Sequence, residues 1–144
     1  MASHHVPYRG NPLPDLMAGQ VQVYFGPLPS SVGFIRAGTL RALAVTTARR
    51  LKLLPDIPAV AEFVPGYEAI AWQGVGAPKG IPAEIIEKLN KEVGAFLADA
   101  KINARFDDMG AVPMPMTPAA FGKFIADETK KWGNVVRVAN IRVD

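Results

Sequence analysis

The chain contains no cysteine. That excludes disulfides, thiolate zinc sites and a cysteine nucleophile, but leaves the compartment open. Histidine is nearly as scarce: His4 and His5 are adjacent and there is no other. A Ser-His-Asp triad would have to use one of these two N-terminal residues, and neither has metal-ligating companions at a suitable spacing. Charge of one sign is not in excess. The net charge is +3 over 144 residues, too weak for a nucleic-acid footprint. Only Arg49-Arg50-Leu51-Lys52 clusters, and it reads as a solvated face. No apolar run approaches the ~20 residues that span a bilayer, and no signal peptide is recognisable ahead of the first motif. Aromatic residues are 8% of the chain, while hydrophobic residues together reach 49%. A folded chain is therefore expected rather than a disordered one.

What is abundant is punctuation: 13 glycines and 13 prolines. They favour many short elements joined by tight turns over a long-helix bundle. Residues 5–8 read as extended, because a residue before proline is pushed out of the helical region. Arg9-Gly10-Asn11-Pro12 is a turn, and Leu13 to Ala18 a short helix closed by Gly19. Val21, Val23 and Phe25 alternate with polar neighbours, which predicts a strand. Gly26-Pro27-Leu28-Pro29 breaks it. Ser30 or Ser31 is then expected to cap a helix running through Ile35 and ending at Gly38. Residues 40–47 are predicted to form a buried strand. This strand–helix alternation points to an α/β fold around a largely parallel sheet.

Residues 48–67 form a proline-rich connection, with one helical turn over 59–63. Residues 67–78 are a long extended stretch rich in glycine, as expected of a strand crossing between two lobes. Pro82 is placed at the first position of a helix whose Ile85, Ile86, Leu89, Val93, Phe96 and Leu97 share one face. Asp99 is expected to cap a second helix closed by Gly110. Residues 111–116 make at best an edge strand, because they carry two prolines. Thr117-Pro118 starts the last helix, whose Phe121, Phe124 and Trp132 stripe reads as core.

No enzyme motif emerges. Gly74-Val75-Gly76 lacks the third glycine and the helix of a dinucleotide loop. Asp107-Asp108 and Asp127-Glu128 read as solvated helix faces, so no catalytic residue, metal ligand or cofactor is assigned. Two turns are more informative: Arg9-Gly10-Asn11-Pro12 and Phe25-Gly26-Pro27-Leu28-Pro29-Ser30. Each follows a predicted strand and precedes a helix, the place where open α/β sheets hold ligands. Helix starts favour anions, Gly10 permits close backbone approach, and Asn11, Ser30 and Ser31 add donors and acceptors. Two readings stay open on pattern alone: ordinary strand-to-helix turns, or loops that hold a small carboxylate without chemistry.

The string His5-Val6-Pro7-Tyr8-Arg9-Gly10, followed by Asp15-Leu16-Met17-Ala18-Gly19-Gln20-Val21-Gln22-Val23, resembles the second half of Bug-type (TctC-like) solute-binding proteins of tripartite tricarboxylate transporters. Further matches follow in order: Ala37 to Thr46, Leu54 to Glu62, Pro65-Gly66-Tyr67-Glu68, Trp72-Gln73-Gly74 and Ala77 to Pro82. Glu128 to Trp132, Val135-Val136 and Ala139-Asn140-Ile141 complete the set. The resemblance implies a truncated type II periplasmic-binding-protein fold. Residues 1–66 would be the remainder of the second lobe, and 67–144 the return strand and C-terminal helices of the first.

It also implies a periplasmic, non-enzymatic receptor for a small carboxylate, working with membrane transporter subunits. The ligand-facing residues would be Tyr8, Gly10, Asn11, Pro12, Gly26 and Ser30, with Trp72 a weaker candidate. Gly26 stands where family members often carry Asp. Family members are about twice as long, so the return strand is expected to want partners. A homo-oligomer, a strand-swapped dimer or a poorly stable monomer would follow. The competing reading is a structural remnant that assembles but binds no solute.

Overall fold

The computed structural model describes residues 4–141. Among the described residues five α-helices form: α1 over Leu13–Met17, α2 over Leu28–Arg36, α3 over Ala83–Ala98, α4 over Ala100–Met109 and α5 over Pro118–Val138, with a 3-10 turn at Val60–Glu62. The chain divides into two compact units. One is Met1–Gly74 with Ala104–Val112; the other is Val75–Asn103 with Pro113–Asp144.

Local chemistry explains the helix ends. Gly19 and Gly38 carry φ of 76° and 72°, a region that glycine enters without a Cβ penalty. The Gln20 N–H returns to the Asp15 carbonyl at 2.9 Å and the Thr39 N–H to Phe34 at 3.0 Å, so the last carbonyls of α1 and α2 are satisfied. Asp99 Oδ1 accepts from the N–H groups of Lys101 and Ile102 at 2.8 and 3.0 Å, the expected cap of α4. Thr117 Oγ1 does the same for Ala120 at 3.2 Å.

Two helix starts differ from the sequence expectation. Pro27, not Ser30 or Ser31, is the N-cap of α2. Pro29 lies in the first turn, where its missing N–H costs nothing. Ser30 Oγ therefore donates to the Pro27 carbonyl at 2.8 Å instead of accepting from a helix N–H. Pro82 precedes α3 as its N-cap rather than occupying its first position.

The larger difference concerns strands. Among the described residues no continuous strand pairs; a single parallel bridge joins Val45 and Ala59. The Val45 N–H donates to Pro58 O and the Val60 N–H to Val45 O, both at 2.9 Å, and the Ala69 N–H reaches Thr46 O at 2.9 Å. Segments 21–25, 40–44, 70–78 and 111–116 form no ladder. Alternation in sequence specifies which face a strand presents, but the ladder itself needs a neighbour.

The first unit holds the buried core: Leu13, Val32, Val45 and Ala59. A salt bridge braces it at the surface. Glu62 takes both Arg50 Nε and Nη2 at 2.8 Å and the Ala59 N–H at 2.8 Å. The Arg50 hydrogen bond first, then the Ala59 N–H, pulls the Glu62 carboxyl from its usual 4.5 to about 2. A depressed carboxyl stabilises the fold above its unfolded pKa, and that stabilisation fades as pH falls through the folded value. Acid unfolding of Glu62→Gln is therefore expected to differ from the parent's mainly between pH 4.5 and 2. Circular dichroism against pH checks this; parallel acid transitions would contradict it.

In the second unit α3 contacts α5. Phe121 and Phe124 stack at 6.5 Å, and Asn90 Nδ2 donates to the Met116 carbonyl at 2.8 Å. The stripe read as core is only half-buried at Phe121 and Phe124, and Trp132 is exposed.

Candidate functional site

The candidate loops both lie in the first unit. Around the first, Tyr8 O–H donates to Asp15 Oδ2 at 2.8 Å. That bond to Asp15 is the main cause that raises the Tyr8 pKa above 10.0, so the phenol stays neutral. Asn11 Oδ1 accepts from the Leu13 N–H at 3.1 Å, tying the loop to buried Leu13. Its amide N–H₂ has no protein partner among the described residues and stands available as a donor. Pro12 precedes α1 as its N-cap. A Cβ built on Gly10 would meet nothing within 4 Å, so the loop backbone is open to an approaching group.

The second loop is different. The Tyr24 ring lies where a Cβ on Gly26 would sit, touching it through Cε1, Cζ and Oη. Gly26 thus accommodates Tyr24 and offers no open cradle. Sequence reasoning missed Tyr24, although residues two apart in an extended segment share a face. Asp15 was missed as a partner of Tyr8 because nothing local marks a contact across the intervening turn. Among the described residues no hydrogen bond links the Tyr8–Pro12 loop to the Gly26–Ser30 loop. Tyr8, Asn11 and Pro12 each bond into α1, through Asp15, Leu13 and Leu16, whereas Gly26 packs on Tyr24 and Ser30 bonds to Pro27. Trp72 is half-buried on the extended stretch.

The two helix starts offer an anion fewer N–H donors than the turn pattern predicts. α1 has five residues, its Leu13 N–H is taken by Asn11, and Pro14 has none. In α2 Pro29 has none, and the Ser30 N–H bonds to Pro27 O at 3.2 Å. Among the donors left for an anion are the Asn11 amide, the open backbone at Gly10 and the exposed Arg9. A separate recess of about 460 Å³ runs along α3, lined by Glu84, Ile85, Lys88, Leu89 and Glu92. None of the candidate ligand residues lines it. Among the described residues no three His, Cys, Asp or Glu side chains converge as a metal site, and no helix is long and apolar enough to cross a membrane.

Solved structures define the class. The chain matches one described as a periplasmic transporter with a TM-score of 0.85 and 36% identity, covering 97% of this chain and 48% of that one. It matches the periplasmic binding protein BugD with a TM-score of 0.76 and 30% identity, again covering 48% of that chain. The fold is part of the α/β periplasmic-binding-protein fold, here mostly helical with few paired strands. The model of the tripartite tricarboxylate transporter family receptor matches residues 1–141, and the chain belongs to that family. Protein BugT of Bordetella pertussis is 36% identical over 139 residues, which are 94% of this chain and 43% of BugT. A UPF0065 protein from the tcbD-tcbE intergenic region of Pseudomonas sp. (strain P51) is 34% identical over 136 residues, 40% of its length. The chain thus spans less than half of these relatives. The family is one of transporter receptors, a binding role rather than a catalytic one.

Proposed function

We propose that this chain is the carboxylate-receiving part of a periplasmic solute-binding receptor. The receptor would hand its ligand to the membrane subunits of a tricarboxylate-type transporter, with no chemistry and no cofactor. The family match over residues 1–141 is the observation that carries the reading. Residues 1–66 serve as the remainder of the second lobe, and 67–144 as the return strand and C-terminal helices of the first. Tyr8, Gly10, Asn11 and Pro12 face the ligand. The Asn11 amide and the loop N–H groups donate to a carboxylate, and Arg9 supplies positive charge nearby. Gly26 and Ser30 flank the ligand from the second loop. There the Tyr24 phenol adds a donor.

Asn11→Asp tests this sharply. The aspartate oxygen can still accept the Leu13 N–H now held at 3.1 Å, so the loop keeps its anchor. The new negative charge faces the bound carboxylate, and like charges at such range are costly. Calorimetry against di- and tricarboxylates is expected to show affinity falling at least about tenfold, some 1.4 kcal/mol, with the melting temperature unchanged. Equal binding by both proteins would overturn the assignment of Asn11. No heat from any carboxylate with the parent chain would favour the second reading, an assembly element that binds no solute. That reading draws on the apolar side chains left exposed along the extended segments.

A further inference from the structure

The two candidate loops differ in charge. The first offers a permanent cation, Arg9, beside the Asn11 amide. Its acid, Asp15, already takes the Tyr8 hydroxyl at 2.8 Å. Between Asp15 and Arg36 the chain carries no charged residue. The second loop lies within that stretch. Arg36 stands at the far end of α2, about 12 Å from its start. The packing around Leu28 does not supply the missing cation. Leu28 lies against Gly110, which also faces Leu53. Within three residues of Leu53 or Gly110, Arg50 and Lys52 stand against Asp56, Asp107 and Asp108, and Arg50 is held by Glu62. The start of α2 adds little. Pro29 has no N–H, and that of Ser30 bonds to Pro27 O at 3.2 Å.

What the second loop does offer is a ring. Tyr24 Cε1, Cζ and Oη stand where a Cβ on Gly26 would be. Gly26 is not among the glycines with positive φ, so its backbone conformation does not call for glycine. The space does: a larger residue there would displace the ring. Tyr24 is half-buried beside exposed Gly26, and its hydroxyl has no protein hydrogen bond among the described residues. Ser30 Oγ gives its proton to the Pro27 carbonyl at 2.8 Å. The loop presents an aromatic ring and hydroxyl oxygens, and no side-chain charge.

A charge taken out of water needs a partner. One carboxylate finds it at Arg9 and Asn11; a second carboxylate reaching the other loop does not. We infer that the site takes a monocarboxylate with an uncharged aromatic body in preference to a di- or tricarboxylate, its acid group on the first loop and its ring laid against Tyr24. Offset stacking of two rings is favourable beyond the area it buries. A mostly apolar contact with a few placed polar groups is also the usual make-up of a small-molecule site. Gly26 then determines specificity, because it gives the Tyr24 ring its place. The inference rests on the proposed carboxylate reading, in which both loops face one ligand, and adds which carboxylate.

Calorimetry of the full chain with acetate, benzoate, succinate and citrate tests this. Acetate has the acid group without a body and reports the first loop alone. Benzoate is expected to bind at least about tenfold tighter than any of the other three. Tyr24→Ala should remove most of the benzoate advantage and leave succinate affinity unchanged, a split that general loss of structure would not produce. Gly26→Ala, which drives the ring from its place, should do the same. Benzoate no tighter than acetate, or succinate or citrate tighter than benzoate, would overturn the ligand class and leave carboxylate reception by the first loop standing. No heat from any of the four would remove that reading, and this inference with it.

Discussion

Leu13→Ala is expected to unfold the first unit. Leu13 is 3% exposed and is one of four buried hydrophobic residues among those described. It opens α1, a helix of five residues too short to persist without tertiary packing. Truncating a buried leucine costs about 2–5 kcal/mol through lost transfer energy and the cavity left behind. Few other buried side chains share that load, so the loss should exceed what the unit can absorb. Loss of the cooperative thermal transition, followed by circular dichroism, is the expected readout. Phe25→Ala is the control. At 82% exposure its removal should change stability of the isolated chain by no more than about 0.5 kcal/mol. If Leu13→Ala melts with the parent, the core lies elsewhere.

Gly110→Ala is the second large effect, and Gly19→Ala calibrates it. Both glycines have positive φ, 68° and 76°, so alanine adds about 1–2 kcal/mol of backbone strain at either position. At Gly19 the space is open, and strain is the whole cost. At Gly110 the new methyl would run into the Leu28 side chain and approach Leu53 Cδ2 at 3.2 Å. Repacking there adds about 1–3 kcal/mol. This also loosens the end of α4 from α2. Denaturant melts should rank parent, Gly19→Ala and Gly110→Ala in falling order. Equal losses for the two variants would mean that Leu28 and Leu53 yield freely.

The helices were legible because their determinants are local. Asp99, Thr117, Gly38 and Gly110 mark ends with side chains or backbone conformations that need no distant partner. The start of α2 was misread because two prolines flank Leu28, and they relieve the demand for a serine cap. Strands were legible only as patterns. Val21, Val23 and Phe25 alternate correctly, yet the backbone beside them forms no ladder, since pairing depends on chain far away in sequence or outside it. The first candidate loop was read from its turn chemistry, and Asn11 does anchor it, through the Leu13 N–H. Prolines and local bonds quenched most of the helix-start donors, a detail that turn signals do not carry. The Tyr24 ring over Gly26 follows from a two-residue spacing that was visible and went unused.

Backbone amide spectra of the nitrogen-15-labelled chain, titrated with citrate and succinate, test the central claim most directly. Carboxylate reception by the first loop predicts saturable shifts at Gly10, Asn11 and Leu13 and at the Asn11 side-chain amide, absent in Asn11→Asp. Unmoved signals at those positions, or shifts confined to the Glu84–Glu92 face of α3, would contradict it.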